Sequence, residues 1–388
     1  MFAKDRTVAG IDVGTHAVKV VVARLEERTL PQIIGAGSAE TRGMREGYAA
    51  NGAAVARSVR AALAEAEQMA GLPVRRAYLA IGGIGLDELR SRGEVITSRA
   101  DSEISPIDIE KALADSEERV AERVLNRRIL HTVPLSYAVD GEKVLGRPHG
   151  MKGTKLEVET LFATCLEQHL TDLIGAMEQA GVVVDDVIAS PFAASFVTLT
   201  KAQRRAGCAL VNIGAETLSI AVFENHLPVS LKVFPVGSSH ITNDIALGLK
   251  ISLEEAEKIK RGGSGAAQYS KRKLDEIISA RLSDMFQTID AHLRKIKRDG
   301  LLPAGVICIG GGSHIVGIEE LARAALRLPS RRALFEHALG GKARDAVWAV
   351  AYGLCLWGGH SGAEEDSGIR TARRAGNSLL QWVKQFLP

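Results

Sequence analysis

The chain has 388 residues, with 49 Lys+Arg against 46 Asp+Glu, 46% apolar residues and 24% charged ones. That length predicts two or three domains with sizeable cores. A net charge of +3 is too balanced for a dedicated DNA binder, and 4% aromatics leave no stacking platform for single-stranded nucleic acid, so no nucleic-acid partner is expected.

Met1 to Asp5 show no charged-then-apolar leader, so no secretory signal is expected. Residues 7 to 24 predict strand, tight turn and strand, with Gly14 at the turn and the β-branched Val18, Val20, Val21 and Val22 in the second strand. Helical spacing runs from Asn51 to Ala70, and Val74 to Gly82 returns to strand. A charged stretch, Asp87 to Arg92, leads to a strand at 94–97. Ser105-Pro106 opens a helix, and strands follow at 128–139 and 156–165. Residues 86–163 therefore predict a small α+β insert. A helix over 167–181 ends at Gly181.

Residues 207 to 223 again predict strand, turn and strand. A helix over 250–261 precedes the break Gly262-Gly263-Ser264-Gly265. Lys271 to Arg298 is a long amphipathic helix whose interspersed charges indicate a solvated face. A strand at 306–309 runs into Gly310-Gly311-Gly312, then a helix follows at 317–326. The apolar helix at 345–357 is too short to span a bilayer, which takes ~20 residues. Cys165, Cys208, Cys308 and Cys355 lie far apart in apolar surroundings and predict buried hydrophobes in a reducing compartment. The histidines form no metal-binding pair.

A faint repeat organises these elements. Ile11-Asp12-Val13-Gly14-Thr15 aligns with Val211-Asn212-Ile213-Gly214-Ala215 at an offset of 200, continuing through Val18/Leu218, Val20/Ile220 and Val22/Val222. Such a turn suits phosphate: glycine lets backbone N–H groups approach an anion, and a hydroxyl adds a donor. The backbone N–H of His16 lies in the first turn, and Asp12 could hold a hydrated Mg²⁺. Two facing turns would clamp a nucleotide between two lobes, with Gly310–Gly312 as a third anchor.

The paired hairpins, Gly310-Gly311-Gly312-Ser313 and the helix Ala256-Glu257-Lys258-Ile259-Lys260 resemble the actin/Hsp70/sugar-kinase superfamily. Within it, the segments His131 to Asp140, Gly150 to Glu157 and Thr242 to Ala246 resemble signatures of the bacterial cell-division family FtsA. The resemblance implies an actin-like (ribonuclease H-like) α/β fold of two lobes, with an inserted α+β subdomain and a C-terminal amphipathic helix. It implies a first lobe over 1–85 and 164–206, interrupted by the insert at 86–163. The second lobe would cover 207–248 and 301–344, with its small subdomain at 249–300. A helix at 345–358 would return to the first lobe. It also implies binding of ATP and Mg²⁺, self-polymerisation, a grip on the C-terminal tail of FtsZ, other division partners, and a peripheral place on the cytoplasmic face of the membrane at the division site.

By the family motif, Asp12, Gly14, Thr15 and His16 form the first phosphate loop, with Asp12 facing the metal. Asn212, Gly214, Ala215, Glu216 and Thr217 form the second. Glu257 and Lys260 contact ribose or adenine, and Gly310, Gly311, Gly312 and Ser313 close over the adenosine. Three departures stand out. Asn212 occupies a usual Asp position, Ala17 a frequent Lys position, and Ser190 the place of a Glu before Pro191 in relatives that hydrolyse ATP. Binding with weak or absent hydrolysis is therefore expected.

Residues 359–376 are Gly-, Ser- and charge-rich and predict a linker. After it, Leu379, Leu380, Val383, Phe386 and Leu387 share one helical face, with Trp382 at its edge and Lys384 on the polar side. This pattern suits a bilayer interface; a helix docked on its own domain is the alternative. Two further functional alternatives are a sugar kinase or ATPase of the same superfamily, which would need a general base, and a PilM-like pilus-assembly adaptor, which shares the Lys19 spacing but lacks the signatures at 131–140 and 150–157.

Overall fold

The computed structural model describes residues 6–25, 30–99, 101–263, 269–333 and 346–361. The expected helix at 377–388, with Leu379, Leu380, Trp382, Val383, Lys384, Phe386 and Leu387, lies outside the described residues. So do 264–268 of the glycine-rich break.

β1 (Arg6–Val13) and β2 (Ala17–Leu25) form the first hairpin. β2 is valine-rich because both its faces are covered: Val20 and Val22 enter one core, Val21 and Ala23 another. β3 (Gln32–Glu40), the short pair β4 (Met44–Arg45) and β5 (Tyr48–Ala49), α1 (Gly52–Ala70) and β6 (Arg76–Ile81) follow. Next come β7 (Asp87–Ile96), α2 (Pro106–Glu118), β8 (Arg127–Val139), β9 (Glu142–Val144) and β10 (Lys155–Leu166). These make a separate antiparallel sheet, β7-β10-β8-β9, over a small core of Ile104, Ala112, Tyr137 and Leu156. Ser105 and Asp108 form a capping box at the start of α2, with Pro106 in its first turn. α3 (Glu167–Gln179), β11 (Val183–Ala189), α4 (Ser190–Thr198) and α5 (Lys201–Ala206) lead to the second lobe.

That lobe holds β12 (Cys208–Ile213), β13 (Leu218–Glu224), β14 (Leu227–Phe234), α6 (Ser238–Leu249), α7 (Leu253–Lys260), α8 (Lys271–Lys295), β15 (Val306–Ile309), α9 (Ile318–Leu326) and β16 (Ser330–Arg332). The two main sheets have the orders β11-β6-β1-β2-β3 and β16-β15-β12-β13-β14. In each, three antiparallel strands are extended on the side of the first strand by two parallel ones. The repeat seen in two hairpins is thus the trace of a whole repeated five-stranded unit.

α10 (Ala349–Ser361) follows the second lobe in sequence but packs on α4 and β1 of the first. Contact is close because position 10 has no side chain: a Cβ on Gly10 would stand 2.2 Å from the Ala351 carbonyl oxygen. The helix runs to Ser361, past the expected linker start at 359. All four cysteines are free and buried.

Several segments differ from the sequence expectation. The charged run at 87–92 is itself strand, since β7 starts at Asp87. Asp87, Glu88 and Arg90 reach the neighbouring lobe. The helix expected over 250–261 starts later, because Lys250 ends the preceding α6 in a left-handed conformation and Ser252 caps α7. Strands β3, β11 and β14 and helix α6 were not anticipated.

His131 of β8 is buried where the insert meets the first lobe. Its Nε2 accepts the Ala189 N–H at 3.0 Å. Burial pushes its pKa down from 6.5 to about 3. The unfolded chain therefore takes up a proton that the folded one refuses. Stability from this group is complete above the unfolded value and is lost as pH falls from there toward the folded one. By about pH 5 the loss is on the order of 2 kcal/mol. His292, pushed down to about 4, adds with the same sign. The urea midpoint should fall between about pH 7 and pH 5, and His131→Gln should flatten part of that fall. An identical profile in the variant would remove His131 as the source.

Candidate functional site

A cleft of about 1780 Å³ separates the two lobes. Both hairpin turns open into it, because each follows the first strand of its sheet and the sheets face one another. Gly14 N–H bonds the Ala17 carbonyl at 3.2 Å, and Gly214 N–H bonds the Thr217 carbonyl at 2.8 Å. The turns are built alike, and each is braced from behind. Thr41 N–H reaches the His16 carbonyl at 3.0 Å; Ser238 N–H, at the start of α6, reaches the Gly214 carbonyl at 2.9 Å.

Of the expected residues, Asp12, Gly14, Thr15, His16, Asn212, Gly214, Ala215, Thr217, Glu257, Lys260, Gly310, Gly311 and Gly312 line the cleft. Glu216 and Ser313 are absent from its lining. The Glu216 carboxylate instead accepts the Glu46 N–H of the other lobe. Ser313 is buried, and its hydroxyl donates to the Gly310 carbonyl at 2.7 Å, so it holds the loop together from inside.

Lys260 also has a job that spacing did not reveal. Its Nζ donates to Thr242 Oγ1 at 2.8 Å and to the Ser238 carbonyl at 3.1 Å, and pairs with Glu257 Oε2 at 2.6 Å. An ammonium has three protons, and all three are taken. Lys260 therefore fastens α7 to α6, and its side chain is only 9% exposed. Glu257 is equally engaged. Burial raises its pKa, but hydrogen bonds from Lys260, Thr242 and Arg261 outweigh that and bring it down to about 2. Lys260→Met should cost about 1–2 kcal/mol, since Glu257 keeps Thr242 and Arg261 while the Ser238 carbonyl loses its ammonium donor. Urea denaturation checks this; an unchanged midpoint would return Lys260 to the ligand-facing role.

Lys19, Ser219 and Arg261 line the cleft beside the expected residues. Lys19 stands directly across β1–β2 from Asp12, and Ser219 stands across β12–β13 from Asn212. One lobe thus presents a charged pair where the other presents a neutral one. Burial raises the Asp12 pKa and the Lys19 charge opposes the rise. The pairing is readable from a tight hairpin, since partners lie equally far from its tip. Arg261 had no such signal: it donates to Glu257 Oε1 at 2.7 Å and spans the cleft to His16 Nε2 at 3.1 Å. Ser190, the first residue of α4, also lines the cleft.

The cradle is shaped for a close backbone approach. Gly310 has φ +83°, and a Cβ there would lie 2.2 Å from Asn212 Oδ1. Backbone amides at two turns and a glycine loop form concavities able to take an anion. Among the described residues, no group of three or more His, Cys, Asp or Glu could hold a metal ion.

The family model described as cell division protein FtsA matches residues 209–353, and the model of the SHS2 domain inserted in FtsA matches 86–164. The cell division protein FtsA of Bacillus subtilis is 30% identical over 339 residues, covering 82% of this chain and 76% of that protein. The chain belongs to the FtsA family. Its FtsA relative in Pseudomonas aeruginosa is 29% identical, covering 91% of this chain and 89% of that protein. Among solved structures, the PilM-PilN type IV pilus biogenesis complex superposes with a TM-score of 0.68 at 20% identity, covering 90% of this chain and 98% of that one. MreB5 of Spiroplasma citri bound to AMPPNP gives 0.55 at 12% identity, covering 95% and 100%. These two structures show the actin-like fold; the FtsA relatives, each a cell division protein, make this a cell-division protein of that fold. No described helix is long and apolar enough to cross a membrane.

Proposed function

We propose that this FtsA-family protein binds ATP with Mg²⁺ between its lobes, polymerises with itself, and ties the C-terminal tail of FtsZ to the cytoplasmic face of the membrane. The observation that carries the proposal is the pair of matching turns facing one cleft, closed by Gly310–Gly312. MreB5, of the same fold, is known bound to AMPPNP. The residues present fit such a ligand. Turn amides would meet phosphate oxygens, Lys19 would offset their charge, and the half-buried Asp12 carboxylate would be steadied by a bound cation. Asp12 would be the metal-facing residue. Gly14, Thr15 and His16, with Asn212, Gly214, Ala215 and Thr217, would surround the phosphates. Glu216 would steady closure and Ser313 the adenosine loop.

Residues 86–163 would be the inserted subdomain, 249–300 the small subdomain that takes the FtsZ tail, and 377–388 the membrane helix. Later division proteins would join at the division site. By the family motif Ser190 would take the place of the general base, and its hydroxyl cannot serve as one at neutral pH, so hydrolysis would be slow. Calorimetry should show 1:1 Mg-ATP binding. Pelleting should show ATP-dependent filaments that retain an FtsZ-tail peptide. Rapid ATP turnover, with or without a sugar, would overturn this in favour of an enzyme.

A further inference from the structure

Strand β7 of the insert and edge strand β14 of the second lobe run side by side in opposite directions. Asp87 meets Lys232 at 2.7 Å, and the Glu88 carboxylate accepts the Leu231 N–H. The Ser230 hydroxyl stands 3.1 Å from Glu88 Oε1, and Arg90 donates to the Val229 carbonyl. This is a seam between two sheet edges, made by side chains reaching across. It starts close behind the cleft wall formed by Gly82 and Gly83.

The seam continues into α8. Ser230 Oγ is 2.9 Å from His292 Nε2, and both residues are buried. α8 also lines the cleft near its other end, through Leu274 and Ile278. From Leu274 to His292 one rigid helix spans about 27 Å. A ligand against its first turns and the seam at its last turns therefore act on one solid body.

We infer that this seam is a strap that makes lobe closure a two-position switch and passes it between α8 and the inserted subdomain, with Glu88 as its central group. The physical reason is the cost of half-made bonds. A shift of an ångström or two parts the Leu231 N–H and the half-buried Glu88 carboxylate and takes Ser230 away from Glu88, while His292 still holds the Ser230 hydroxyl; the buried Leu231 N–H is then left without its partner. Intermediate closures are therefore uphill, and the lobes are either strapped or free. Burial pushes the Glu88 pKa up, while the Leu231 N–H, Arg90 and Ser230 pull it back, as expected of a carboxylate held by these partners. The inference rests on the proposed nucleotide role only for what moves the lobes.

The test uses the full chain with Gln68→Cys and Leu247→Cys, spin-labelled, since the four native cysteines are buried. Double electron–electron resonance measures the distance between lobes, and hydrogen exchange follows the Leu231 N–H. The unaltered seam should give one narrow distance with Mg-ATP. Glu88→Ala should broaden it and speed Leu231 exchange at least ten-fold. Glu88→Gln, which keeps an acceptor oxygen, should fall between. If Glu88→Ala does not fold, Ser230→Ala, which removes one hydroxyl, is judged by the same two readouts. Distances and exchange identical to the parent would overturn the strap. Calorimetry on the same samples separates the two ideas: a parent that binds no ATP sinks the nucleotide role, while the distances and exchange measured without nucleotide still decide the strap.

Discussion

A chain ending at Gly376 will stay at the bottom of a flotation gradient, while the full chain will rise with anionic vesicles. The removed residues are 377–388; wound as a helix, their sequence would put Leu379, Leu380, Val383, Phe386 and Leu387 on one side and Trp382 at its edge. Burying such a side chain fully is worth roughly 1.5–3 kcal/mol. Partial burial in an interface and the cost of ordering the segment offset most of that gain, so attachment by one helix is weak and reversible. A filament presenting many such helices gains by avidity, on the order of 10²–10⁴-fold. Flotation of the full chain should therefore rise with Mg-ATP and fall when assembly is blocked. If the shortened chain floats as well, the anchor lies elsewhere.

The second large effect belongs to Gly310→Ala. The residue sits at φ +83°, ψ 170°, a region essentially reserved for glycine. The new methyl would meet Asn212 Oδ1 at 2.2 Å and the Ile213 carbonyl at 2.6 Å. Neither can step aside cheaply: Ile213 ends β12, and Asn212 is the polar residue of the second turn. The loop must move off the strand, and the cleft loses its third wall. ATP affinity should fall 100-fold or more, about 2.7 kcal/mol, as read by calorimetry. Gly175→Ala is the control for folding. It lies in α3 with open space around its Cβ, and helix propensity predicts a gain of roughly 0.5–1 kcal/mol. Unchanged affinity in Gly310→Ala would separate that loop from the ligand.

Much of the site was legible because its turns are local. A glycine turn between two apolar strands announces itself over some ten residues, and the offset of 200 between two such turns predicted paired lobes before any strand was placed. The capping box at Ser105–Asp108 and the long α8 were legible for the same reason. The exceptions share a cause. Glu216 and Ser313 sit within the expected motifs yet turn away from the cleft, because Glu46 and the Gly310 carbonyl take their polar atoms. Two of the three donors of Lys260 are spent on residues some twenty positions back.

Sequence alone, then, determined the repeat, the glycine turns and the insert, since each rests on spacing between near neighbours. Tertiary structure decided the rest. Only folding brought β14 against β7, so that the charges at 87–90 became a seam instead of a loop. Only folding set α10 against Gly10 and brought Arg261 across the cleft to His16. Contacts between residues more than a hundred positions apart depend on how sheets and helices stack, and the pattern of any single segment does not encode that stacking.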